Sequence, residues 1–126
     1  MKILWFCMML IPGPFLFHFY ETTMRNHGAD ISYSFINGFH VIWSILAGVL
    51  SIRASLRVFF LMHSFMIVGS IILAQLFIIP PNDSWFNPFT MNVVILLSAL
   101  PILFGQLVTR LITQSLYRFI KNKNLP

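Results

Sequence analysis

FINGFHVIWSILAGVLSIRASLRVFFLMHSFMIVGSIILAQLFII, residues 35–79, consists of two apolar runs joined by five residues that carry two arginines. Neither Phe35–Ile52 nor Val58–Ile79 contains a charged residue. At about 1.5 Å per helical residue, each is close to the length needed to cross a hydrocarbon core about 30 Å thick. The link Arg53–Arg57 leaves room only for a turn, so the spacing predicts two antiparallel neighbouring helices. Small residues support that pairing. Ser44 and Gly48, Ala47 and Ser51, and Ser70 and Ala74 recur at four-residue spacing, which lets helix backbones approach closely.

Outward from this pair, the pattern repeats on both sides. Ile3–Tyr20 is an uncharged run of eighteen residues, and Thr90–Ile112 carries one charge, Arg110, near its end. The expected fold is an all-α membrane protein, a single domain over residues 1–126. Four transmembrane helices at about 3–20, 35–52, 58–79 and 90–112 would form an up-down bundle. Pro12 and Pro14 flank Gly13 in the first run, and Pro101 lies near the centre of the fourth. Each proline removes a backbone donor, so kinks are expected there. The first run also has some character of a signal peptide. Its end, Phe17-His18-Phe19-Tyr20, lacks the small-residue pattern of a cleavage site, which favours an uncleaved helix.

Charge supplies the orientation. Lys2, Arg53, Arg57, Arg110, Arg118, Lys121 and Lys123 fall on one side of the four runs, and Arg25 alone falls on the other. All three acidic residues, Glu21, Asp30 and Asp83, share the side of Arg25. Basic residues in short loops stay cytoplasmic, so both termini and the turn 53–57 are expected inside, with loops 21–34 and 80–89 outside. Trp85, Phe86 and Phe89 in the second outer loop have the aromatic character of a headgroup-level anchor. The expected location is a bacterial cytoplasmic membrane, with an organellar membrane as the alternative.

Composition agrees. Of 126 residues, 58% are hydrophobic and 9% charged, where a soluble domain carries about a quarter charged. The net charge of +5 belongs to residues beside apolar runs, where anionic headgroups attract them, and so does not point to nucleic acid. The single cysteine, Cys7, allows no internal disulfide and no thiolate cluster.

Polar residues within the runs divide by depth. His18, His40 and Gln75 fall in the outer third; His63, Gln106 and Arg110 fall in the inner third. A shared outer site on His18 and His40 would suit a haem iron, an ion or a quinone. Bulky Phe17 and Phe19 around His18 argue instead for separate interfacial histidines. In the inner group, Arg110 is expected to extend its guanidinium into the headgroups. His63 and Gln106 are expected to hydrogen-bond between helices. No catalytic, cofactor-binding or metal-binding residue is assigned, and no cofactor is expected.

No acidic residue lies in any of the four runs, which counts against cation or proton coupling. The leading functional expectation is a non-enzymatic accessory or regulatory protein that acts through helix–helix contacts with other membrane proteins or with itself, in the lipid bilayer. The alternative is a small homodimeric transporter or flippase-like protein whose proline kinks shape a substrate path. A haem-binding redox subunit ranks third.

Overall fold

The computed structural model describes residues 2–123, and every regular element among them is helical. The helices are α1 (Lys2–Met9), α2 (Gly13–Asn26), α3 (Tyr33–Leu50), α4 (Leu56–Phe77) and α5 (Met91–Lys123), with a 3-10 turn at Ser51–Arg53. Four stretches among the described residues are long and apolar enough to cross a membrane: Lys2–Asn26, Tyr33–Arg53, Leu56–Phe77 and Met91–Lys123. Large apolar side chains cover much of the outside of the bundle. Buried positions often hold small residues, Ala47, Ala74, Ala99, Ser44 and Ser70, while Phe35, Phe65 and Phe104 point outward.

The first span breaks where its prolines predict. α1 ends at Met9, and Pro14 sits in the first turn of α2, where a missing N–H costs nothing. The helix then runs six residues past Tyr20, so Glu21–Asn26 is helix rather than part of the expected polar loop. Within this extension the Thr22 hydroxyl donates to the His18 carbonyl at 2.7 Å. The helix stops at Gly28, whose φ of +66° few other residues adopt. There the Gly28 N–H bonds the Arg25 carbonyl and the Ala29 N–H bonds the Met24 carbonyl, a Schellman arrangement.

α4 starts two residues earlier than expected, because Ser55 caps it by accepting from the Val58 N–H. It ends at Phe77 rather than Ile79, since Pro80 and Pro81 force the residues before them out of helical geometry. α5 differs most. It continues through Pro101 and for eleven residues past Ile112, ending at Lys123.

The pairing of helices departs from the expected hairpin. α3 and α4 share no extensive contact; α3 packs chiefly on α5, and α4 on α2 and α5. α3 and α5 run parallel, since Gly105 lies beside Ser44, Gly48 beside Gln106 and Thr109, and Arg110 beside Ser51. The first span and α4 are parallel too, with Trp5 stacked on Phe59 at 6.3 Å and Asn26 donating to the Ile79 carbonyl. The up-down order therefore holds, but α3 and α4 occupy opposite corners. The reason is close approach. A Cβ on Gly48 would stand 2.7 Å from Cβ of Thr109 and 2.8 Å from the Gln106 carbonyl oxygen. The small face of α3 is spent on α5, leaving none for α4. Gly13 likewise gives way to the Trp43 ring, which seats the break of the first span against α3.

Candidate functional site

Each end of the bundle gathers polar side chains. At one end, His18 is buried on α2, facing α5 and Phe86 of the loop before it. Its Nε2 meets Ser98 Oγ at 2.6 Å and its Nδ1 meets Glu21 Oε2 at 3.1 Å. The Tyr33 hydroxyl donates to the other carboxylate oxygen at 3.0 Å, so Tyr33, Glu21, His18 and Ser98 form one chain from the surface to α5. Helical spacing explains half of it, because Glu21 follows His18 by three residues and shares its face. The Ser98 hydroxyl also lies 2.9 Å from the Val94 carbonyl of its own helix.

His40 belongs to a different set. Its Nδ1 faces the Ile36 carbonyl at 2.7 Å and its Nε2 the Gly13 carbonyl at 3.2 Å. Phe17 stands edge-on to both imidazoles, 4.9 Å from His18 and 5.5 Å from His40 by ring centroids. The two histidines thus share a depth without facing a common ligand, and all four ring nitrogens have protein partners. Gln75 does not join them; it donates to Asn92 at 3.2 Å.

The other end is built around Arg110, which is 4% exposed and does not reach outward as expected. Its guanidinium lies over the Phe59 ring and donates to the carbonyls of Ser51 and Ala54 at 2.5 and 2.6 Å. Gln114, one turn on, donates to Ile52 at 3.4 Å. These carbonyls end α3 and its 3-10 turn, where the helix dipole favours a cation; that of Ser51 also accepts from the Ala54 N–H at 2.9 Å. Arg110 therefore holds the crossover that carries the chain from α3 to the opposite corner.

His63 donates from Nδ1 to the Phe59 carbonyl at 2.8 Å. Gln106 is the polar side chain that approaches its ring. The expected hydrogen bond between them does not close, since His63 Nε2 and both amide atoms of Gln106 are buried without partners.

Between α3 and α5 a groove opens on the side of the bundle. One part, about 250 Å³, is lined by Pro14, Phe17, Asn37, His40, Ser98 and Pro101. A second part, about 190 Å³, shares His40 and Pro101 and continues past Ser44 and Gly105 to Thr109. Sequence reading did not single out Ser98, Asn37 or Thr109 as site residues. Depth gave no signal for Ser98: counted from the outer ends of their apolar runs it lies about 12 Å in and His18 about 3 Å, and only the continuation of α2 to Asn26 brings the two level. No protein-family model, curated protein or solved structure matches this chain.

Proposed function

We propose that this is a multi-pass protein of a bacterial cytoplasmic membrane, with both termini inside, that acts as a non-enzymatic accessory subunit. On this reading it receives a transmembrane helix of a partner membrane protein in the α3/α5 groove. The groove is the observation that carries the reading. From Ser98 to Thr109 it follows α5 for about 16 Å, roughly three helical turns. Its floor combines small residues, Ser44 and Gly105, with hydrogen-bonding ones, Asn37, Ser98 and Thr109. Close backbone approach and interhelical hydrogen bonds are what a second helix offers and lipid does not. Val41 and Ile45, both strongly exposed, flank it.

The Ser98–His18–Glu21 array resembles the order of a nucleophile, a base and an orienting carboxylate. Two features favour a tie between α2 and α5 instead. The Ser98 hydroxyl has a carbonyl acceptor on its own helix, and His18 is held by a carboxylate from its own helical face. A second reading, a flippase-like transporter, draws support from Pro14 and Pro101, which both line the groove.

Photo-crosslinking side chains placed at Val41 and Ile45 should yield one discrete partner adduct in membranes, while Leu61 and Phe65 on α4 should not. Gly105→Leu, which fills the groove, should abolish the adduct. Equal labelling from α3 and α4 would sink the accessory reading. Movement of a fluorescent phospholipid by the purified protein in liposomes, lost in Gly105→Leu, would promote the second.

A further inference from the structure

The extension of α5 creates a feature that the groove does not share. Thirty-three helical residues reach about 50 Å, well beyond the about 30 Å of a hydrocarbon core. The last turns therefore stand past the bundle at the basic end. They are two-faced: Leu116, Phe119 and Ile120 are exposed on one side, while Gln114, Arg118, Lys121 and Asn122 fall together on the other. The polar side faces the 3-10 turn across a cleft of about 640 Å³, lined by Arg53, Gln114, Tyr117, Arg118, Lys121 and Asn122.

Three cations converge on this space. Among the described residues no carboxylate lies within ion-pair distance of any of them, and all three acidic residues of the chain lie in or near the loops at the opposite end of the bundle. Concentrating like charge in one concavity is unfavourable unless an anion shares it. The cleft is also built rather than accidental. Gln114 donates to the Ile52 carbonyl at its base, and Arg110 pins the adjoining turn, so Arg53 is held opposite Arg118.

We propose that this cleft binds the phosphate of an anionic phospholipid headgroup. Arg53 and Arg118 would supply planar donor forks to the phosphate oxygens, and Lys121 a further point charge. Because the last turns of α5 pass the end of the hydrocarbon core, the cleft stands at headgroup depth, which selects a lipid phosphate over a free anion. The inference rests on the membrane insertion proposed above. Protein that stays soluble without detergent would refute insertion itself, independently of any lipid result.

The test uses the full chain purified in mild detergent and exchanged into micelles containing phosphatidylglycerol, phosphatidylcholine, or phosphatidylcholine plus inorganic phosphate. Native mass spectrometry should show retained phosphatidylglycerol, and thermal unfolding should shift upward with that lipid alone. Each of Arg53→Gln, Arg118→Gln and Lys121→Gln should weaken retention about fivefold, at about one surface charge each. Arg57→Gln, at the same end but outside the cleft, should not. Equal loss from Arg57→Gln would overturn the site in favour of diffuse surface charge. An equal shift with inorganic phosphate would overturn the lipid as ligand. The single variants keep the outcome readable should a triple variant fail to fold.

Discussion

Arg110 shows how a residue acquires a role from its surroundings. On a sequence it is a basic side chain two residues from the end of an apolar run, and extending to the headgroups is its ordinary behaviour. In the bundle the nearest acceptors are the carbonyls of Ser51, which also accepts from the Ala54 N–H, and of Ala54, and a guanidinium can bridge both. Replacement by Gln should cost about 3 kcal/mol, the scale of losing two hydrogen bonds from a charged donor. Lys should recover less than half of that, because one ammonium does not reproduce the fork. Unfolding of purified protein in mixed micelles measures both variants. A Lys variant as stable as the wild type would mean that charge alone matters here.

Helix contacts follow from side-chain size along one face. α3 carries two glycines with opposite environments: Gly48 faces α5 within overlap distance, whereas nothing lies within 4 Å of a Cβ built on Gly38. Gly48→Ala should therefore destabilise the bundle by about 1–3 kcal/mol, the cost of overpacking. Gly38→Ala should be neutral or slightly stabilising, since alanine is the better helix former. The same unfolding experiment decides this, and equal effects at both positions would deny the close α3/α5 contact. The helix boundaries themselves were legible where chemistry is local. Pro80-Pro81 stops α4 and Pro12-Gly13-Pro14 breaks the first span, whereas the end of α2 at Gly28 was not legible, because its apolar run stops at Tyr20. The long continuation of α5 was not legible, because Leu116-Tyr117-Arg118-Phe119 reads equally well as an interfacial tail.

For the whole molecule, the seven-to-one division of basic residues carries the proposed orientation. A periplasm-active reporter fused after residue 126 should be silent, and the same reporter inserted at Gly28, in the turn that ends α2, should be active. The reverse pattern would invert the bundle and place the basic cleft outside. The two polar ends also differ in charge. The cleft and the Arg110 tie stand with the positive charges, while the Glu21–His18–Ser98 chain stands with the acidic loops.

The sequence by itself determined the number of helices long and apolar enough to cross a membrane, the break in the first and the segregation of charge. Those properties depend on the composition of contiguous stretches, which any chain displays in order. It also placed His18 level with His40 and His63 near Gln106. Which residues those side chains meet was decided only by tertiary structure. A five-residue link between α3 and α4 suggests that they pair, but connectivity constrains only where two helix ends lie. Packing decides which faces touch, and Gly48 directs α3 onto α5. That choice moves α4 to the far corner, draws the Ser51–Ala54 turn across the bundle, and puts Arg110 beneath it rather than at the lipid surface.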